Sequence, residues 1–546
     1  MLQQYNSEND YLSRYPLKIP EIKVEPDLDF VLVQLPPRYM PLMPNGLGYV
    51  DLVLRRHGLK VQTLDLNIMM YHHYHAKRLL KDDGKSPLLP SGRPLAVDPW
   101  TSTGADEFSD PEVIDFFWPL CDDLLNQIRS MKPKAVGLTV DSTNRAMCNR
   151  FVEILRERAP ETCVVVGGYL FLRDLGSDPS FKDFDYKVIS EAELSLPPLA
   201  LALARGERPR DLPGIASRYD SPDRGLVQPV LMQDVTDVGF PTYDWIDLAL
   251  YHSYTGHFVV PISSSRGCSW SRCRFCSECF QYRSRSPESV ADEVAYFFEK
   301  GIKYFSFNES ILGGDPENLF NICTEFIKRG LNQAFFTGQA HVDKRHTVEY
   351  LRYMKTAGFH RIRVGVDGWS DNILRRQRKG YNMRLVKQTM KNCHEVGIAV
   401  DVNVLIGVPG ETDEDITETI QNLYDVRGWI NSVGSFNTLN LVRGSEYYEN
   451  PELYGIEFRG DKDEIYAKHK NHIPDDLWYS TDPYIDAEVR LDRIERVAAA
   501  LDDMGLKAGD FSQKVLKKKR ATVAETMSQA ARAPAEAPRP LSAALG

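Results

Sequence analysis

Three closely spaced cysteines, Cys268, Cys273 and Cys276, stand in the stretch Ser265-Arg266-Gly267-Cys268-Ser269-Trp270-Ser271-Arg272-Cys273-Arg274-Phe275-Cys276. Thiolates are the soft ligands that iron–sulfur clusters need. Three of them this close can hold three irons of a [4Fe–4S] cluster and leave the fourth iron open. Cys279 follows three residues later, so the same cysteines with Cys279 could instead close a structural zinc site of four thiolates. The flanking chain favours the cluster. Zinc ribbons often draw ligands from two separated pairs, whereas these cysteines sit on one loop after an apolar strand, 257–262, with strand–helix units beyond it. Nine cysteines in 546 residues is an odd number at ordinary density, which argues against a disulfide framework.

The rest of the composition describes a large enzyme with several cores. Hydrophobic residues make up 42% of the chain, and mean hydropathy is −0.36. The net charge of −10 argues against a nucleic-acid surface. No apolar run approaches the ~20 residues of a membrane span. The first residues lack the basic and apolar regions of a secretory signal, so the expected location is cytoplasmic.

The elements that must position the loop fall on both sides of it. Residues 28–35 form a near-continuous apolar run, as in a strand buried on both faces, and Pro36-Pro37 ends it. Helical periodicity follows over 46–58, then a strand over 60–66. Residues 68–112 are polar and irregular and read as an insertion. Further strands are expected at 135–140, 163–166 and 186–189, with helices near 112–131, 145–158 and from 192. Alternating strands and helices imply a doubly wound, Rossmann-like or flavodoxin-like parallel sheet, with ligands outside the carboxyl ends of its strands. There is no Gly-x-Gly-x-x-Gly after the first strand, so a dinucleotide is disfavoured. After the loop, six strands are expected near 258–263, 303–308, 333–337, 361–366, 399–405 and 432–439. Ser286 is a plausible N-cap for a helix starting at Pro287. Residues 445–512 read as helical, and the Ala/Pro-rich chain from Lys514 as a disordered tail.

The cysteine run resembles the signature of radical S-adenosylmethionine (AdoMet) enzymes, usually Cys-x3-Cys-x2-Cys. Here the first gap is four residues, as in some cobalamin-dependent members. The N-terminal half resembles the cobalamin-binding domain that precedes many of these enzymes. That resemblance rests on Leu35-Pro36-Pro37, Gly46-Leu47-Gly48-Tyr49, Val136-Gly137-Leu138-Thr139 with Ser142, Val166-Gly167-Gly168 and Ser190-Glu191-Ala192-Glu193. No Asp-x-His-x-x-Gly is present, so the resemblance implies cobalamin held without a lower histidine ligand. A scaffold module or one for another nucleotide is the alternative. The strands after the loop resemble the (β/α)6 partial barrel of the family. By that resemblance Glu309 meets the amino end of AdoMet, Asp367 its ribose, and Gly407 and Phe275 its adenine. Gln339 and His341, just past the third strand, are further candidates to face the cavity, with a buried structural role the alternative for His341.

The implied layout is an N-terminal extension over 1–27, a cobalamin domain over 28–215 and a linker over 216–250. A radical AdoMet domain over 251–445, a small C-terminal helical domain over 446–513 and the tail over 514–546 follow. The implied activity is methyl transfer from methylcobalamin to an unactivated carbon of a small-molecule or peptide substrate, after hydrogen abstraction by a 5′-deoxyadenosyl radical. An electron donor such as flavodoxin or ferredoxin is implied as partner. A cyclase or ring-rearrangement enzyme without methyl transfer is the enzymatic alternative, and a zinc-stabilised nucleotide-sensing module the non-enzymatic one.

Overall fold

The computed structural model describes residues 18–506 apart from 39, 41, 83, 102–104, 169–170, 172–182, 254–257, 279 and 470–471. Cys279, the expected tail and most of the expected N-terminal extension lie outside the described residues. By its internal contacts the chain forms two units. The first holds residues up to Ser271, then Glu278–Gly365 and Gln388–Val400; the second holds Arg272–Ser277, Val366–Lys387 and the chain from Asp401.

The first unit begins with a six-stranded sheet. β1 (Phe30–Gln34), β2 (Val61–Asp65), β3 (Ala135–Thr139), β4 (Cys163–Gly167), β5 (Tyr186–Val188) and β6 (Ile215–Ser217) lie in the order β2-β1-β3-β4-β5-β6. All neighbours are parallel except β5 and β6. Strand direction of travel reverses between β1 and β3, which makes that gap the topological switch point. The strands are apolar on both faces because helices cover both. Phe30, Leu32, Ala135 and Val165 pack with Leu54 and Leu199, from the helices Asn45–Arg56 and Ala192–Ala204. Each such buried side chain contributes roughly 1.5–3 kcal/mol.

The polar insertion expected over 68–112 is corrected by the helix Leu66–Leu80, capped by Asp65 accepting from the N–H of Ile68 at 3.0 Å. Its histidines disguise it in the sequence. Ile68, Met69, Met70 and Tyr71 are buried, and so are His72 and His75. The ring of Tyr71 packs against both imidazoles, and Trp100 closes the cluster.

Beyond the first sheet, β7 (Val260–Ile262) leads into β8 (Ser265–Arg266), which pairs antiparallel with β9 (Arg283–Ser284). This two-stranded clip carries the cysteine loop out and back. Then β10 (Tyr304–Leu312), β11 (Phe335–Ala340) and β12 (Phe359–Asp367) follow, and β7, β10, β11 and β12 are successive parallel neighbours. Ser286 caps the helix Pro287–Glu299 as expected, its side chain accepting from the N–H of Ser289 at 3.2 Å.

In the second unit β13 (Ala399–Ile406) and β14 (Ser432–Thr438) are parallel. The expected helical region after residue 445 is only partly helical. Strands Ile456–Phe458, Trp478–Thr481 and Tyr484–Ile485 form an antiparallel sheet before the helix Ala487–Asp503. Their short lengths hid them from periodicity. Among the described residues no helix is long and apolar enough to cross a membrane.

His72 gives the fold a pH dependence. Its ring is fully buried, its Nε2 meets the carbonyl of Leu250 at 2.5 Å, and burial pulls its pKa from 6.5 to about 4. The folded state therefore binds this proton less readily than the unfolded chain. His72 contributes stability that is complete above about pH 6.5 and lost as pH falls through about 4, at up to about 1.4 kcal/mol per pH unit. Thermal midpoints recorded from pH 7 to 4 should fall less steeply in His72→Gln than in the natural chain. Parallel curves would refute this assignment.

Candidate cofactor site

The carboxyl edge of the first sheet opens into a cavity of about 340 Å³. Its sheet-side wall is Phe30 and Leu32 of β1, Gly137 of β3 and Val165 of β4; Leu47 and Leu196 of the two covering helices face them. Gly167, Gly168, Ser190, Glu191 and Glu193 form the mouth. Small residues keep the walls bare. Gly168 has φ of +126°, and a Cβ there would stand 2.4 Å from the carbonyl oxygen of Val140, so no larger residue fits the turn. The cavity's volume falls within the ~300–1,000 Å³ of small-molecule sites.

Gly167, Gly168 and Glu191 thus line one cavity, as the sequence reading gathered them. Pro36, Pro37 and Ser142 do not line it. Pro36 and Pro37 are buried beside it, joined by a cis bond, and the carbonyl of Pro37 accepts from Thr143 Oγ1 at 3.2 Å. Ser142 is exposed in the turn after β3. Among the described residues no histidine lines this cavity. His57 sits at its helix C-terminus, with Nδ1 2.8 Å from the carbonyl of Val53.

A second cavity, about 450 Å³, opens at the ends of β7 and β10, between Gly267, Glu278, Phe280, Asn308, Glu309 and Ser310. Glu309 accepts from the N–H groups of Ser264 and Ser265 at 2.7 and 2.8 Å and from Ser264 Oγ at 2.9 Å. Burial raises its carboxyl to about 7 despite these donors. Glu309 therefore fixes the chain entering β8 as well as lining the cavity. Ser310 Oγ donates to Glu278 at 2.8 Å. Gln339 lies exposed at the end of β11, and His341 stacks on Trp270 of the cysteine loop with centroids 5.3 Å apart.

Between the two cavities lies a group of charges that sequence reasoning missed apart from Glu191. Arg266 donates to Glu193 at 2.5 Å and stands 3.3 Å from Glu191. Arg283 donates to Glu191 at 2.8 and 2.9 Å. Burial opposes ionisation of Glu191, but Arg283, the N–H of Met232 and Arg266 outweigh it and hold the carboxyl below its usual range. The signal was visible as Glu191-x-Glu193 at a strand end and as arginines beside Gly267-Cys268 and after the loop.

Cys268 belongs to the first unit, Cys273 and Cys276 to the second. Cys268 Sγ accepts from the N–H of Ser271 at 3.4 Å. In the second unit the N–H of Cys276 donates to the carbonyl of Cys273, and the N–H of Arg274 to the carbonyl of Gln377. Phe275 packs against the core that contains Ile373 and Val408. Among the described residues no three His, Cys, Asp or Glu side chains stand gathered as a metal site. The donor chemistry still fits an iron–sulfur cluster. Residues 265–276 offer three thiols and no carboxylate or imidazole. Cys121, Cys148, Cys163, Cys323 and Cys393 are buried, and burial pushes their thiols up, Cys393 to about 12. The three loop cysteines are the accessible ones among those described.

Also in the second unit, Asp367 accepts from buried Lys379 at 2.7 Å. The φ of Asp367 is +62°, an uncommon conformation for a side-chain-bearing residue. Burial opposes the Lys379 charge, but Asp367 outweighs it and raises the pKa. Gly407 is covered by Arg490, whose Nε donates to its carbonyl at 3.4 Å. Asp367 and Gly407, expected at ribose and adenine, therefore have partners of their own.

Residues 262–423, the stretch that carries the cysteine loop, match the family described as the Radical SAM superfamily. The chain's fold is shared with cobalamin-dependent enzymes of that class. The structure of the radical S-adenosylmethionine methyltransferase TsrM from Kitasatospora setae with cobalamin and a [4Fe–4S] cluster bound superposes with a TM-score of 0.60 at 18% identity, over 79% of this chain and 81% of that one. That of the cobalamin-dependent AdoMet radical enzyme OxsB gives 0.63 at 14% identity, over 91% and 71%. An uncharacterized methyltransferase of Pyrococcus horikoshii is 26% identical over 55% of this chain and 66% of its own length. The anaerobic magnesium-protoporphyrin IX monomethyl ester cyclase of Rubrivivax gelatinosus is 24% identical over 56% of each. Cytidylyl-2-hydroxyethylphosphonate methyltransferase of Streptomyces wedmorensis is 24% identical over 74% of this chain and 76% of its own. The chain thus spans less than two thirds of the first two relatives.

Gly267 is where the loop's backbone is most constrained. Its φ is +79°, and a Cβ there would stand 2.4 and 2.5 Å from the carbonyl oxygens of Gln281 and Phe280. The left-handed conformation alone costs an alanine roughly 1–2 kcal/mol. Gly267→Ala should push β9 off β8, seen as faster amide exchange over residues 265–284 with the first sheet unchanged. Natural protection across that clip would refute the prediction.

Proposed function

We propose that this chain is a cobalamin-dependent radical AdoMet C-methyltransferase acting on an unactivated carbon. The observation that carries the reading is one glycine-lined cavity at a sheet switch point, whose wall includes Arg266 of the strands that hold the cysteine loop. Residues 28–215 would hold cobalamin, the flat aromatic base of its nucleotide tail suiting the space beside Gly137, Gly167 and Gly168. Residues 251–445 would hold the cluster on Cys268, Cys273 and Cys276, and residues 446–513 would cover the substrate. The methyltransferase relatives support the transfer of a methyl group.

When bound, the cluster with AdoMet supplies a carbon-centred radical, and cobalamin supplies a methyl group. The protein's part is positioning. Glu309, held by Ser264 and Ser265, presents its carboxyl at the cavity beside Gly267, where a cationic amine is the complementary group. Asp367 would exchange part of its pairing with Lys379 for ribose hydroxyls. Phe275 and the Gly407 turn would bound the adenine. Glu191 and Glu193 keep Arg266 and Arg283 neutralised, so that neither cavity carries an unpaired cation. The cyclase relative favours a second reading on the same scaffold, radical cyclisation without methyl transfer.

Two measurements test the reading. Anaerobic reconstitution should load iron and sulfide on the natural chain, and each of Cys268→Ala, Cys273→Ala and Cys276→Ala should lose them, while Cys323→Ala keeps them. Retention of iron in any loop variant would refute the ligand set. Turnover with substrate should then yield S-adenosylhomocysteine and 5′-deoxyadenosine in equal amounts and a product heavier by one methyl group. Sustained 5′-deoxyadenosine without S-adenosylhomocysteine would replace methylation by cyclisation.

A further inference from the structure

We infer that Arg266, with Glu193 and Glu191, is a positioning residue that couples filling of the sheet cavity to the conformation of the cysteine loop. The inference rests on the functional reading above and goes beyond it: the two cofactor sites are linked, and the link is these side chains. Glu191 and Glu193 flank the start of the helix Ala192–Ala204, whose Leu196 walls the sheet cavity. Arg266 is on β8, two residues before Cys268, and Arg283 is on its partner β9. Both strands of the clip are therefore tied to one helix start. Glu191, Ser263 and Arg266 line both cavities.

The network is not a surface ornament. Side-chain exposure is 10% at Glu191, 9% at Glu193, 6% at Arg283 and 24% at Arg266. Charges this sheltered need their partners, because removing one leaves another buried and uncompensated. The Arg266 guanidinium also lies 5.4 Å from the ring centroid of Tyr49, another residue of the cavity wall. Arg283 donates to the carbonyl of Met232 at 2.6 Å, while the N–H of Met232 donates to Glu191 at 2.6 Å. The helix start, the 230–232 segment and the clip thus share one set of hydrogen bonds. A ligand that presses on Tyr49, Ala192 or Leu196 bears on the same set.

Coupling between two binding sites is reciprocal. The full chain, prepared with and without its iron–sulfur cluster, should bind hydroxocobalamin with dissociation constants that differ, within the ~5–150-fold typical of coupled sites. In Arg266→Met the ratio should fall to one while iron content and cobalamin stoichiometry persist; Arg266→Lys should restore part of it. Glu193→Gln, which keeps shape and removes charge, should also lower the ratio and serves where Arg266→Met does not fold. Equal constants in the natural chain, or the natural ratio in both Arg266→Met and Glu193→Gln, would overturn the coupling alone. A natural chain that binds no cobalamin would overturn the functional reading and the coupling with it.

Discussion

Two glutamates and two arginines hold the arrangement on which the first unit's chemistry depends. A parallel sheet delivers its ligands to the carboxyl ends of its strands, and two sheets in one chain deliver two sets. Nothing in sheet geometry makes those edges meet. Here the ion pairs of Arg266 with Glu193 and of Arg283 with Glu191 join the start of a helix over the first sheet to a clip leading from the second. Exposed pairs of this kind are worth little. Sheltered as these are, loss of either partner would leave a buried, uncompensated charge.

The cavity walls express the opposite requirement. Where the charges demand partners, the sheet edge demands absence of side chains. Gly137 makes room for Leu32, whose Cδ2 a Cβ there would meet at 2.6 Å, and Gly168 brings the next turn against Val140 at a distance no Cβ allows. The walls of the cavity are mostly apolar, with Phe30, Leu32, Leu47, Val165 and Leu196 among them. The polar atoms stay at the mouth, on Ser190, Glu191 and Glu193.

The alternation of strands and helices was legible because each parallel strand is a short apolar run ended by a turn; the parallel strands fall where that pattern put them, whereas antiparallel β6, three residues long, was not expected. The helix Leu66–Leu80 was not legible, because His72 and His75 are scored as polar yet pack among Tyr71 and Trp100. The cysteine loop was legible from ligand chemistry, but its supports were not. Arg266 reads in sequence as one more surface charge, and its meaning comes from a glutamate more than seventy residues earlier. Glu309 shows the same limit. Its type suggested a ligand for an amine, whereas Ser264 and Ser265 reveal that it also fixes the chain before the loop.

The same distinction bears on reaction type. The methyltransferase and cyclase relatives match this chain at similar identity, 24–26%, so likeness alone does not separate the two outcomes. The separation must lie in residues that touch the substrate. Glu309, Glu191, Arg266 and Arg283 are committed to one another or to the backbone around the clip. Phe280, Asn308 and the Glu278–Ser310 pair line the second cavity outside that network. The Phe280 carbonyl stands 2.5 Å from where a Cβ on Gly267 would be, and the Asn308 carbonyl accepts from Ser263 Oγ at 3.3 Å, so these residues border the clip as well as the cavity.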